Sequence, residues 1–257
     1  CSVGDRLVWS EMCRRGIALG GEQSGHTIFA DHLATGDGLA TTLVIVRAVI
    51  ETGRELADLA AAGCRYVQFD DTNLAYLCDD KMRENARQLG EDPDELPATY
   101  VALINASIKD RHPDQAVCIH LCRGNAMSQW FATGGYEPVA DKLFNLTEVD
   151  GFFLEYDDDR SGGFEPLRFV PKGNKIIVLG LVTTKRGVLE SKDELKRRIE
   201  DASKYVDLDQ LALSPQCGFS SNAIGNKVSV DDEIAKLRLV IETRLVLGNI
   251  EWPIEMT

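Results

Sequence analysis

From about Glu55 onward, stretches with apolar residues at helical spacing alternate with short apolar runs that each end in polar residues. The runs, read as strands, are Tyr66 to Phe69, Val117 to Leu121, Gly151 to Leu154, Lys175 to Leu181 and Gln210 to Leu213. Helices are predicted over 55–63, 80–89, 97–109, 126–134, 191–204 and 231–246, and loops over 90–97 and 157–173, which are rich in Asp, Gly and Pro. Alternation of this kind implies βαβ units and a parallel sheet. Five strands are too few to close an eight-stranded barrel, which takes about 250 residues. The expected fold is therefore α/β, a partial (β/α) barrel of about five units. Before Glu55 the pattern differs: a helix over 5–17, a break at Gly20-Gly21, a short strand from His26 to Ala30, and a loop with Thr35, Gly36, Asp37 and Gly38 that opens a long apolar helix from about Leu39 to Ile50.

Composition narrows the function classes. In 257 residues, 44% are hydrophobic, the content of an ordinary globular core, so disorder is not the default. Acidic residues outnumber basic ones 41 to 28, and the net charge of -13 repels phosphate backbones and anionic lipid surfaces. A nucleic-acid or membrane-surface role is disfavoured. No apolar run approaches the roughly 20 residues that span a bilayer, and no charged segment followed by an apolar one opens the chain, so a cytosolic location is expected. The 7 cysteines, odd in number and widely spaced, point to metal ligation or buried free thiols rather than disulfides. The chain starts at Cys1 without a methionine, as a fragment would.

Residues 118–122 read CIHLC, which puts His120 and Cys122 two apart on a predicted strand, with both side chains on one face. Glu155 ends the run GFFLE, and Cys217 follows the run LALSP. Strand ends of a parallel barrel converge on one face, so these four residues can meet, and imidazole, two thiolates and a carboxylate suit tetrahedral Zn²⁺. Spacing alone leaves a second reading open, in which they are unconnected core residues. Cys1, Cys13, Cys64, Cys78 and Cys118 are read as inert packing residues.

The motifs AAGCRYVQFDD at 61–71, IHLCRGN at 119–125, FFLEYDD at 152–158, VLGLVTTK at 178–185 and LSPQCGFSS at 213–221 keep one order across about residues 60–247. In these motifs the chain resembles the catalytic zinc barrel of cobalamin-independent methionine synthase and its shorter thiol-alkyltransferase relatives, such as epoxyalkane:coenzyme M transferase. The resemblance implies a Zn²⁺ cofactor on His120, Cys122, Glu155 and Cys217, a small-molecule thiol that binds as thiolate, and an alkyl donor. It also implies that Glu155 is the ligand exchanged for the thiol, and that Asp70 holds the amino group of homocysteine. One departure stands out: where the synthases carry a proton-donating histidine, this chain reads VLGLVT, with Val182 in that place.

Residues 3–60, with VGDRLVWSEM, LGGEQSGHTIFADHLATGDGLATTL and ETGRELADLA, resemble phosphoglucosamine mutase instead. That resemblance implies sugar contacts at Glu22, Ser24 and His26. The phosphoserine and magnesium loops of a mutase are missing from the sequence, so mutase activity is disfavoured. The expected organisation is a mutase-like fragment over 1–58 and the barrel portion over 59–257, with a junction near 55–62. Two function classes follow: a zinc-dependent transferase, or a zinc-binding but catalytically weak barrel fragment or fusion. Because the first barrel strands of the family have no counterpart in residues 3–60, open sheet edges and a homo-oligomer are expected.

Overall fold

The computed structural model describes residues 13–15, 19–21, 27–29, 56–125, 127–219 and 226–246. Its central feature is a five-stranded parallel sheet formed by β3 (Tyr66–Asp71), β4 (Ala116–Leu121), β5 (Gly151–Glu155), β6 (Ile176–Val182) and β7 (Leu211–Pro215). The two remaining strands, β1 (Leu19–Gly21) and β2 (Thr27–Phe29), form a separate antiparallel pair. Every strand of the large sheet pairs with its successor in the chain, giving the order β3-β4-β5-β6-β7. This is the arrangement of a (β/α) barrel wall, and all five predicted strands are present within a residue or two of their expected limits.

Each strand alternates two kinds of position. Val117, Ile119, Leu121, Phe152, Leu154, Ile177, Leu179 and Leu181 form one apolar cluster with Val139, Ala140, Leu143, Phe144, Leu195 and Ile199 of the helices. Burying side chains of this size contributes about 1.5–3 kcal/mol each and fixes the strand register, because a slip of one residue would turn the whole set over. The opposite face is thereby left to His120, Phe153, Glu155 and Gly180. Register brings Asp70 beside His120 and Glu155 beside Gly180.

Seven helices are described in full: α1 (Leu56–Ala61), α2 (Asn73–Tyr76), α3 (Asp80–Gln88), α4 (Leu96–Ile108), α5 (Glu137–Leu146), α6 (Lys192–Ala202) and α7 (Val230–Val246). Local chemistry sets their starts. Asp79 accepts from the backbone N–H groups of Lys81 and Met82 to cap α3, and Ser229 and Asp232 bond reciprocally at the head of α7.

Several expectations are corrected. Residues 126–134 are not a helix among the described positions. Met127 and Ser128 have φ of 54° and 69°, Gly134 has φ of 98°, and Phe131 N–H turns back to the Arg123 carbonyl, none of which a helix permits. The helix of this unit is α5, which begins after the Gly134-Gly135 pair with Pro138 in its first turn. The loop predicted over 157–173 contains two short 3-10 turns, Asp159–Ser161 and Glu165–Phe169. Gly20-Gly21 does not interrupt structure but lies within β1. The predicted strand His26 to Ala30 matches β2, and Cys13–Arg15 are helical. Glu22, Ser24, His26, Cys1 and the helix expected over Leu39 to Ile50 lie outside the described residues. Among the other cysteines Cys78 and Cys118 are buried as expected, whereas Cys13 is exposed and Cys64 only half-buried. No described helix is long and apolar enough to cross a membrane.

Candidate metal centre

His120, Cys122, Glu155 and Cys217 come together as the sequence predicts, all four buried, with their ligand atoms within 4.8 Å of one another. Cys122 Sγ stands 3.3 Å from Cys217 Sγ, Cys217 Sγ 2.9 Å from Glu155 Oε1 and 3.8 Å from His120 Nε2, and His120 Nε2 3.6 Å from Glu155 Oε1. Two atoms bound tetrahedrally at the usual 2.0–2.3 Å from zinc stand about 3.3–3.8 Å apart, which three of these four separations match, so these donor types fit one Zn²⁺ once the others shift by up to about 1 Å.

The elements explain the convergence. His120 is the penultimate residue of β4, and Cys122 extends that strand by one ladder bond, its N–H reaching the Asp71 carbonyl at 2.9 Å. Glu155 ends β5. Its backbone is clamped by the Tyr136 hydroxyl, which accepts from Glu155 N–H at 2.9 Å and lies 3.3 Å from the Glu155 carbonyl. Cys217 follows β7 through Gln216, whose N–H reaches the Val182 carbonyl at 3.0 Å. Gly180, opposite Glu155, must be small here, because a Cβ would come 2.8 Å from the Leu154 carbonyl oxygen.

Charges around the cluster are arranged in opposition. Asp70 Oδ1 lies 2.8 Å from His120 Nδ1, and since a carboxylate only accepts, Nδ1 carries a proton and Nε2 is the atom turned to the cluster. Burial alone would lower the imidazole pKa, but the Asp70 carboxylate, and then Glu155, hold it well above its ordinary value. Burial would likewise raise Glu155, yet Lys185, His120 and Cys217 keep its carboxyl well below the usual range. The hydrogen bond with Cys122, then burial, push the Cys217 thiol well up. Asp71 faces away, accepting from Leu74 N–H at 2.8 Å. Burial lifts it to about 6.

Sequence reasoning missed the second layer of this site. Glu155 Oε2 lies 3.1 Å from Arg160 Nη2, 2.9 Å from Gln216 Nε2 and 3.7 Å from Lys185 Nζ. Arg160 also pairs with Asp157 at 2.8 Å, and Lys185 donates to Gln216 Oε1 at 2.7 Å. The side chains of Arg160 and Lys185 are only 6% and 3% exposed, so both cations are spent on the site rather than on solvent. The available signal was VTTK itself, an apolar strand running straight into a lysine. Val182, read as standing in the histidine's place, is fully buried in the apolar core and brings no donor.

Residues 127–135 form a pinned loop. Asp79 accepts from both Thr133 N–H and its hydroxyl at 2.9 Å, and Gly134 N–H reaches the Arg160 carbonyl at 2.8 Å. Trp130 and Phe131 on this loop are 47% and 61% exposed, and the Arg160 guanidinium lies over the Trp130 ring at 4.8 Å.

Comparison with known proteins places these features. Residues 1–66 match the model for phosphoglucomutase/phosphomannomutase alpha/beta/alpha domain III. Over 67 residues the chain is 54% identical to phosphoglucosamine mutase of Saccharopolyspora erythraea, covering 26% of this chain and 15% of that protein. The Bacillus subtilis protein YxjH, which is uncharacterized, is 51% identical over 191 residues, 74% of this chain and 50% of its own; the chain thus spans about half the length of the curated relatives it matches there. A solved structure from Listeria monocytogenes, assigned as a vitamin-B12 independent methionine synthase, is 39% identical with a TM-score of 0.58, covering 76% of this chain and 52% of that one. A B12-independent methionine synthase from Shewanella sp. W3-18-1, at 19% identity and a TM-score of 0.54 over 74% of this chain and 50% of that one, shares the fold. Residues 37–237, a stretch holding all five parallel strands and the four clustered side chains, match the model for the cobalamin-independent synthase catalytic domain, and the chain belongs to that family.

Proposed function

We propose that this chain transfers a methyl or other alkyl group to a thiol, with His120, Cys122, Glu155 and Cys217 as ligands of one Zn²⁺ and residues 59–257 as the barrel portion that does so. The single observation that carries this reading is the buried cluster of two thiols, an imidazole and a carboxylate at strand ends, at mutual distances suited to one tetrahedral ion. Bound there, zinc would supply a positive charge that keeps a substrate thiol as thiolate, the reactive form of sulfur, at neutral pH.

The chain's own residues supply the rest. Two thiolates and a carboxylate outweigh a divalent cation, which leaves electron density on an incoming sulfur. His120 is oriented by Asp70. Asp70, with its side chain 20% exposed, is also the carboxylate available to the ammonium group of an amino thiol such as homocysteine. Glu155 is the ligand given up to the thiol, since a carboxylate is the hardest donor of the set and the least suited to a soft ion's sulfur site. Trp130, whose ring lies 4.8 Å from the guanidinium of the Glu155 partner Arg160, and its neighbour Phe131 offer exposed apolar surface to an alkyl donor.

The test is metal content and turnover together. Purified protein should hold one zinc per chain, Cys217→Ser should lose most of it, and methyl transfer to homocysteine should fall with the zinc. Full zinc in Cys217→Ser would overturn the ligand set. One zinc per chain without turnover, across several methyl donors, would favour the second reading, a metal-binding barrel portion with little activity. The chain's coverage of half the length of YxjH is what keeps that reading in play. The N-terminal segment, residues 1–58 with Glu22, Ser24 and His26, takes no part in the chemistry under either reading.

A further inference from the structure

The two oxygens of Glu155 face different surroundings. Oε1 belongs to the ligand cluster, beside Cys217 Sγ at 2.9 Å and His120 Nε2 at 3.6 Å. Oε2 points out of the cluster into a buried basic pocket made by Arg160 Nη2 at 3.1 Å, Gln216 Nε2 at 2.9 Å and Lys185 Nζ at 3.7 Å. Nothing about holding a metal ion requires this: a ligand carboxylate is oriented by one hydrogen bond, and two cations beside it withdraw charge and weaken it as a ligand. Arg160 Nη1, also buried, has no hydrogen-bond partner among the described residues, which leaves a donor in reserve.

We propose that Arg160, Lys185 and Gln216 form a receiving seat for the Glu155 carboxylate, which holds it when the substrate thiol takes its place in the ligand cluster. These are positioning residues, and the inference rests on the thiol-transfer reading above. With an ion bound, the exchange would break the bond from Oε1 to it and form one from the substrate sulfur, while the thiol proton would leave to the buffer. A carboxylate still bound shares its charge with the ion, whereas one that has left carries its full charge. The seat's two cations therefore favour the departed state and tip the exchange toward thiol binding. Their own counter-charge, Asp157 at 2.8 Å from Arg160 and 4.0 Å from Lys185, keeps them in place whether Oε1 lies in the cluster or has left it.

Cobalt(II)-loaded protein reads the exchange directly, because near-ultraviolet thiolate-to-cobalt absorption rises when another thiolate joins the ion. L-homocysteine is the probe, with 2-mercaptoethanol as a thiol lacking the ammonium group. In the otherwise unchanged chain, absorption should rise on titration. Lys185→Met should load cobalt at least as fully, since no ligand is altered and one charge that weakens Glu155 is gone, but should require about tenfold more of either thiol. In a Glu155→Ala background there is no carboxylate to receive, so Lys185→Met should move the midpoint by less than about twofold. Lys185→Arg should restore most of the affinity. Should Lys185→Met fail to fold, Arg160→Gln carries the same comparison. An equal shift in both backgrounds, or no shift in either, overturns the seat. If the unaltered chain holds cobalt yet gains no absorption with either thiol, the thiol-transfer reading fails instead.

Discussion

Asp70 and His120 form a close charged contact at the candidate metal centre, at 2.8 Å between strands adjacent in register. A histidine ligand whose far nitrogen is fixed by a carboxylate keeps its ring plane and its tautomer, and losing such a partner typically costs about 10–100-fold in metal affinity. Asp70→Asn is therefore expected to weaken zinc binding by about that factor, read by competition with a chelator, and to weaken homocysteine binding further when zinc is saturating. Unchanged zinc affinity with weaker homocysteine binding would give Asp70 to the substrate alone. The cluster of His120, Cys122, Glu155 and Cys217 was legible in the sequence because these residue types are few and the strands carrying them end in polar residues. Lys185, Arg160 and Gln216 were not. Their common target, Glu155, is 30 residues from Lys185 and 61 from Gln216, and only the folded sheet brings them together.

The strands were readable because apolar runs bounded by polar residues have few other uses, and their limits shifted by only a residue or two. The unit between β4 and β5 was misread for a definite reason. The composition of 126–134 favours a helix, but residues 127–134 are held by bonds to Asp79 and to the Arg160 carbonyl that no local pattern announces. Gly134 is the tightest point of that attachment: its φ is 98°, and a Cβ there would stand 2.0 Å from the Cys78 carbonyl oxygen. Gly134→Ala should destabilise the protein by about 2–3 kcal/mol, through both the left-handed backbone and the collision. Urea unfolding measures this, and an unchanged midpoint would mean that the loop yields easily. The two edges of the sheet differ from its middle in a related way. β4 and β6 are buried almost throughout, whereas all six residues of β3 and four of the five in β7 are only half-buried.

A metal ion at the centre would tie together β4, β5 and the segment after β7, so occupancy and global stability are linked. Zinc at a thousand times its dissociation constant should add about 4 kcal/mol to unfolding. The pH dependence of that gain has a fixed sign. In the metal-free protein the Cys217 thiol is held well above its usual pKa by Cys122 and by burial, so it is protonated at neutral pH. Ligation needs the thiolate and releases the proton, hence the gain grows as pH rises and shrinks as it falls. Differential scanning calorimetry with and without zinc at about pH 6 and pH 8 should show the Tm difference widening at the higher value. A difference that narrows would mean that Cys217 is not a ligand. The charge of -13 over the whole chain was legible from composition, but composition could not show that two of its cations are buried at one carboxylate.

The strand order β3-β4-β5-β6-β7 also has a consequence in time. A strand that always lies beside its immediate predecessor can be laid down as it leaves the ribosome, each new βα unit docking on a wall already built, with no earlier gap to fill. His120 and Cys122 are delivered first, Glu155 next, and Cys217, 95 residues after Cys122, only when the last of the five strands has been added. The two thiols that would grip one ion are thus kept apart until the wall is complete. During synthesis, a nascent chain that has not yet reached Cys217 offers at most three of the four side chains of the cluster. Full-strength capture is reserved for a chain that has finished building its sheet.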